Sequence, residues 1–476
     1  MSNLKANLMP ADKSDEIDFS SFLMWGNAAV AAAILVLFFF RGQNDYVNVY
    51  TACLSLAFAA QTHFFLSVTR KSPDPFLLLL VIHAICFYEF RVATLLWDPW
   101  SMVLVRNPLS AADLNDCLIF VIMANMAVFL GLAIRPDNSQ ETISSRPSAN
   151  ASVRVFVPVF LFFIAIILEP GFKALEGLNG YLGVVLNSEV MLLFSIVLLI
   201  LYYGAMSRWQ KILILCVVLG FIACRASTGS RSAILLFLFF SFCAWFAVKG
   251  HVVFKKKLYA AVAIAVLCSV LLFIPATLMR PGYSSVPYSQ RKPVRYQTIL
   301  DRIGFLDMST DMIANSLRYG QVVNFEYYFK SIIDNGLTPG FNIFDAPKAA
   351  NAISYVYREK PGLSLKAVTS LYQSDMLTLY GEAYILFGPL AGLAWIFALS
   401  FLFQAVYRRL DGGDPFRSAA LRAAILVIFY TYFLESLGMD WLVVFIVRGI
   451  VPYFILLYVV SKYAQRRPDR IPGELL

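Results

Sequence analysis

The chain has 476 residues, 59% of them hydrophobic and 14% charged, with a mean hydropathy of +0.69 and a net charge of +9. So much Phe and Leu excludes a soluble globular class and indicates an integral membrane protein. The positive charge is that of basic loops facing an anionic leaflet and does not imply nucleic acid.

The N-terminal stretch MSNLKANLMPADKSDEIDFSS carries mixed charge and lacks the short basic start and small-residue cleavage site of a secretory signal. The first apolar run is therefore expected to be retained. Runs of roughly 20 apolar residues, enough to cross a bilayer as helices, recur at 22–40, 46–67, 75–97, 114–134, 153–169, 188–206, 209–225, 231–249, 257–279, 381–407, 418–435 and 440–463. About twelve transmembrane helices are predicted, without the alternation of a β-barrel.

Lys and Arg orient this series. One set of segments carries Lys5 and Lys13, Arg70 and Lys71, Arg135, Arg146 and Arg154, Arg208 and Lys211, and Lys249 with Lys255, Lys256 and Lys257. It continues through Arg408, Arg409, Arg417 and Arg422 to Lys462, Arg466, Arg467 and Arg470. The short loops on the other side hold only Arg41, Arg106, Lys173, Arg225 and Arg231. Both termini are thus expected in the cytoplasm and the polar stretch 280–380 outside. The organisation is all-α: a membrane bundle of about nine helices over 1–279, a partly helical outer loop domain over 280–380, and about three helices over 381–476.

Seven cysteines, Cys53, Cys86, Cys117, Cys216, Cys224, Cys243 and Cys268, fall in or beside apolar spans and read as small core residues rather than disulfides or ligands. His63, His83 and His251 form no cluster facing the outer loop, so no metal site is expected. No nucleophile elbow or Cys–His pairing stands in a plausible context.

Ionisable residues within spans are costly and thus paired, wet or functional. Glu89, Arg91, Arg225, Arg231, Glu382, Glu435, Asp440 and Arg448 all fall in the outer half of their spans. Helix-end charges and internal pairs, such as Glu89 with Arg91 or Arg448, account for many of them one by one. As a set, outer-side arginines oppose the positive-inside bias, and guanidinium groups suit a phosphate or pyrophosphate.

The segment Arg225-Ala-Ser-Thr-Gly-Ser-Arg231-Ser232 joins two apolar helices through a Ser/Thr/Gly turn with Arg near each end. An anion would be held there by N–H groups and a helix dipole. Equally, it is a Ser-capped hairpin whose arginines snorkel to lipid phosphates. In the outer loop, DMIANSLRYGQVVNFEYYFK over 311–330 shows helical spacing broken at Gly320, followed by a predicted tight reversal over 334–340. Its aromatic rings suit sugars, or the bilayer interface.

Thr228-Gly229-Ser230-Arg231-Ser232, ahead of a large outer loop ending in Leu379-Tyr380-Gly381-Glu382-Ala383-Tyr384-Ile385-Leu386-Phe387-Gly388-Pro389-Leu390-Ala391-Gly392, resembles the Wzy-type O-antigen and capsule repeat-unit polymerases. The likeness covers topology over most of the chain and these two stretches at residue level. It implies a glycosyltransferase of the bacterial inner membrane, without metal or other cofactor, working on the periplasmic face. Its partners would be undecaprenyl-pyrophosphate-linked glycan donor and acceptor, membrane lipid and a chain-length regulator.

The family's outer-surface arginines map best onto Arg225 and Arg231, with Arg280, Arg302 and Arg318 as loop candidates. These would neutralise the leaving pyrophosphate, where negative charge builds. Glu382, then Asp375 and Asp311, are the expected carboxylates for the acceptor hydroxyl. As a helix-opening acid, Glu382 could equally serve only the helix dipole. Tyr319 and Arg448 complete the expected substrate-binding set.

The family's paired loop motifs of Arg and Gly ten residues apart are not found cleanly. The outer loop also lacks the His used by related O-antigen ligases. Two other functions stay open: a polyprenyl-phosphate-sugar glycosyltransferase with Asp45 in its first outer loop, and a lipid-linked oligosaccharide flippase or transporter.

Overall fold

The computed structural model describes residues 16–98, 109–134, 233–250, 253–255, 304–337, 343–358, 378–410, 415–435 and 438–447, with isolated positions between 193 and 216 and at 451. The expected spans at 153–169, 257–279 and most of 188–225 lie outside these residues. The described part is helical apart from one short ribbon, in which β1 (Glu16–Asp18) pairs antiparallel with β2 (Val253–Lys255).

Four helices match the first four expected spans: α1 (Phe19–Arg41), α2 (Val49–Lys71), α3 (Pro75–Trp97) and α4 (Ala111–Ala133). Each has 23 residues, about 34 Å at 1.5 Å per residue and enough to cross a bilayer. Their starts are set by local chemistry. Asp18 Oδ1 accepts from the Ser20 N–H ahead of α1, and the left-handed Gly42 follows its end. Asn48 with Thr51, and Ser110 with Asp113, form capping boxes for α2 and α4. Asp74 caps α3 through the Phe76 and Leu77 N–H groups, with Pro75 in the first turn, where a missing N–H costs nothing.

A π-helical turn, Ile85–Glu89, interrupts α3. α3 is the most enclosed span, whereas α1 turns Trp25, Phe39 and Phe40 outward, as expected of a helix bordering lipid.

Loop contacts sort the helix ends. The Ala111 N–H donates to the Asp45 carbonyl, and Asn44 Nδ2 to the Leu95 carbonyl. Gln404 Nε2 donates to Asp74 at 2.8 Å, joining the opposite end of α3 to the C-terminal helices.

The remaining described helices are α5 (Ala233–Lys249), α6 (Phe305–Ala314), α7 (Ser316–Val322), α8 (Phe325–Ile332), α9 (Ala349–Arg358), α10 over 379–387, α11 over 389–409, α12 (Pro415–Ile428) and α13 (Met439–Phe445). α5 and α12 are apolar helices packed on each other; they overlap the expected spans at 231–249 and 418–435 but are shorter than the five helices, among the described residues, long enough to cross a bilayer.

The single span expected over 381–407 is instead two helices that fold back on each other at Gly388-Pro389. Gly388 adopts φ 74° and ψ −179°, a conformation open essentially to glycine alone. Pro389 then starts α11. The Phe387 ring stacks on Trp395 at 5.1 Å, and a Cβ placed on Gly392 would lie 2.9 Å from the Ala383 carbonyl. Residues nine apart in a straight helix would be separated by about 13.5 Å.

α11 is still about 31 Å long, and it packs tightly on α4: a Cβ on Gly131 would come within 2.6 Å of the Phe397 carbonyl. α10 also lines α4, with Tyr384 edge-on to Phe120 and the Tyr380 hydroxyl donating to Asn125 Oδ1. Glu382 therefore does not open a membrane span. It sits on a short helix lying against one.

The described part of the polar stretch 280–380 packs against the bundle. α6 enters the bundle, where Phe305 meets Phe87 at 4.5 Å and His83 at 5.5 Å, near the middle of α3. The helical run expected to break at Gly320 breaks at Asn315 and at Val323-Asn324, because those asparagines hold local backbone. Asn315 Nδ2 donates back to the Asp311 carbonyl, and Asn324 Oδ1 accepts from the Tyr327 N–H to cap α8. Gly320 lies within α7. The reversal expected over 334–340 begins as a π-helical turn, Ile333–Leu337. Asp334 there accepts from the Phe344 and Ala346 N–H groups and closes the bend.

Candidate functional site

Two groups of buried polar residues fix the loop helices to the bundle. The first joins α3 to α6. Arg91 Nη2 lies 2.6 Å from Asp307 Oδ2 and Nε lies 3.0 Å from Oδ1, and both side chains are 1% exposed. The pairing expected between Arg91 and Glu89 is not formed: Glu89 instead meets the Thr62 hydroxyl at 2.6 Å. The residues are two apart on one helix and point to different sides. Arg448, the other expected partner, lies outside the described residues.

Beside this pair, Tyr88 and Ser309 share a hydrogen bond of 2.9 Å, and Ser309 Oγ donates to Thr378 Oγ1. Thr378 in turn caps α10 by accepting from the Gly381 N–H.

The second group surrounds Glu382. Its Oε1 accepts from the Tyr328 hydroxyl of α8 and from the Met439 N–H of α13 at 2.7 Å. Asp440, fully buried, accepts from Ser331 Oγ at 2.6 Å and from the Ala349 N–H at 2.9 Å. Three loop or rim helices thus converge on two neighbouring carboxylates. Burial, with the Glu382 and Asp440 charges beside it, drives the Tyr328 hydroxyl well above the usual phenol range, so it remains a donor.

Glu382 also borders an apolar cleft lined by Leu386, Phe387, Trp395, Leu399, Phe433 and Leu442, with about 20 Å³ of room. That is space for a water molecule or the edge of a chain. The arrangement puts one acid in the wall of a small apolar cleft.

Asp311 and Tyr319 are brought together. The Tyr319 hydroxyl and Asn315 Nδ2 both donate to the Asp311 carboxylate, and both Asp311 and Tyr319 are 2% exposed. Burial raises the Asp311 carboxyl above its ordinary value, against the opposing effect of those two bonds and the nearby Arg318 charge. The two residues face each other rather than an open volume. Arg318 is half-buried on α7.

This group adjoins the second one, because Met312 packs on Gly381. A Cβ at Gly381 would lie 2.7 Å from the Met312 sulfur. Four of the sequence-derived site residues, Asp311, Arg318, Tyr319 and Glu382, therefore lie on adjoining elements. Arg225, Arg231, Arg280, Arg302, Asp375 and Arg448 lie outside the described residues.

The sequence did not single out Asp307, Ser309, Tyr328, Ser331 or Thr378. The one available signal was an acid, Asp307, in an apolar loop segment with an unmatched arginine inside a span. Among the described residues, Cys53, Cys86, Cys117, Cys216 and Cys243 are free thiols. No family model, curated protein or solved structure matches this chain.

Proposed function

We propose that this membrane protein is a metal-independent glycosyltransferase of the Wzy type. It would polymerise undecaprenyl-pyrophosphate-linked repeat units into a surface polysaccharide at the periplasmic face of a bacterial inner membrane. The observation that carries this reading is Glu382, a carboxylate at the junction of α8, α10 and α13 that lines a small apolar cleft. An enzyme acting on a polyprenyl-linked glycan needs a polar group held beside apolar surface.

In this reading Arg225 and Arg231, with Arg280, Arg302, Arg318 and Arg448, hold pyrophosphate and offset the charge that builds on it as the sugar–phosphate bond breaks. Glu382, Asp375 and Asp311 supply the carboxylates from which the acceptor hydroxyl is oriented, and Tyr319 supports Asp311. The Glu382 acid also holds α8 and α13 together, so its position and its chemistry are linked.

Arg231→Ala and Arg225→Ala each test the assignment. Inserted protein with no long-chain polysaccharide is expected, and normal chain-length ladders from both variants would overturn it. One observation favours a second reading: Asp45 is exposed in the loop between α1 and α2, as an acid serving a polyprenyl-phosphate-sugar donor would be. Turnover of a polyprenyl monophosphate sugar, and not of a pyrophosphate-linked oligosaccharide, would decide for it.

A further inference from the structure

Helix α8 (Phe325–Ile332) has three unlike faces. Tyr328 and Ser331 point inward to Glu382 and Asp440. Glu326 and Lys330, one turn apart, pair at 2.5 Å with side chains 73% and 39% exposed. Phe325 and Phe329, also one turn apart, are 54% and 63% exposed. At 100° per residue, residues 325, 329 and 332 share one stripe, 326 and 330 the next, and 328 and 331 the third. A helix between protein and water needs only two such faces. The third is hydrocarbon and faces outward.

That stripe continues into a span. The Phe325 ring meets Phe387 edge-on at 5.0 Å, and Phe387 stacks on Trp395 of α11 at 5.1 Å. Leu390, in the first turn of α11, is 81% exposed, and Leu317 on the neighbouring α7 is 88% exposed. We propose that the Phe325/Phe329 face of α8 is a phospholipid contact. α8 lies along the headgroup–acyl boundary, with its two phenyl rings among acyl chains and the Glu326–Lys330 pair at headgroup level.

Sugars fit this face less well than lipid, because the polar side chains alongside it, Glu326 and Lys330, are already paired with each other. A second copy of the chain fits poorly as well. One face of an eight-residue helix falls far short of the roughly 800 Å² per partner of a stable interface. The consequence is a height for the site, because the Tyr328–Glu382 contact sits one helix width inward from the lipid headgroups. The inference does not depend on the proposed chemistry.

The test places the photoreactive residue p-benzoylphenylalanine at position 325, 329 or 326 of the full chain. Each variant is reconstituted in phosphatidylethanolamine/phosphatidylglycerol vesicles, and the photoproducts are identified by mass spectrometry. Phospholipid adducts several-fold more abundant from positions 325 and 329 than from 326 are expected. Crosslinks to a second copy, equal lipid labelling at 326, or no adduct at 325 and 329 would each overturn the proposal. The two Phe positions are separate, so one variant that fails to fold leaves the other to decide.

Discussion

Replacing Arg91 by Ala withdraws the cation from a carboxylate that stays buried. Three contacts of 2.6 to 3.2 Å join the Arg91 guanidinium to the two oxygens of Asp307, and neither side chain is more than 1% exposed. Water cannot take the place of the lost partner, so the expected cost is about 3–5 kcal/mol. Asp307→Ala should also destabilise, by taking the carboxylate from a buried guanidinium that keeps Thr94 as a partner. Replacing both, Arg91→Met with Asp307→Val, removes both charges at similar combined volume, and should leave the protein within about 2 kcal/mol of the parent, since desolvation of two ions nearly offsets their attraction. The double variant should therefore be far more stable than the sum of the single effects. Unfolding of the purified protein in detergent, followed by denaturant titration of the parent and three variants, measures this. Single variants within about 1 kcal/mol of the parent, or a double variant as damaged as the summed singles, would refute the idea that this pair fastens α6 inside the bundle.

Gly388→Ala should destabilise the fold by about 1–3 kcal/mol, since φ 74° with ψ −179° excludes a Cβ-bearing residue at low energy. An unchanged melting temperature would mean that the chain runs straight from α10 into α11. Asp311 predicts a pH dependence of defined sign. Its carboxyl lies above the ordinary value in the folded protein, so the fold holds this proton more tightly than the unfolded chain does. Its contribution to stability is complete below the ordinary carboxylate value, declines as pH rises from there through the raised value, and is flat beyond. Asp311→Asn should remove that decline from a stability–pH series, and an identical slope in the variant would show that Asp311 is not its source.

Composition and unbroken apolar runs determined the membrane class and the first four spans. The expected 22–40, 46–67, 75–97 and 114–134 correspond to Phe19–Arg41, Val49–Lys71, Pro75–Trp97 and Ala111–Ala133. This information is local: a backbone in hydrocarbon must bond within its own segment, so length and hydropathy suffice. Capping was local too, in Asn48 with Thr51 and Ser110 with Asp113. The Gly388-Pro389 stop signal was present in the sequence, but apolar residues run on across it, and hydropathy cannot distinguish one long helix from two folded together.

Tertiary structure alone decided which charges meet. Arg91 and Asp307 are 216 residues apart, as Tyr328 and Glu382 are 54 apart. Sequence showed that Arg91 and Glu382, as ionisable residues in apolar runs, would need a partner. Periodicity gives the face on which a side chain lies, whereas the identity of its partner depends on how distant helices pack. That packing turned Arg91 from Glu89 to Asp307, drew α6 into the bundle, and placed Glu382 at a junction of three helices instead of at the mouth of a span.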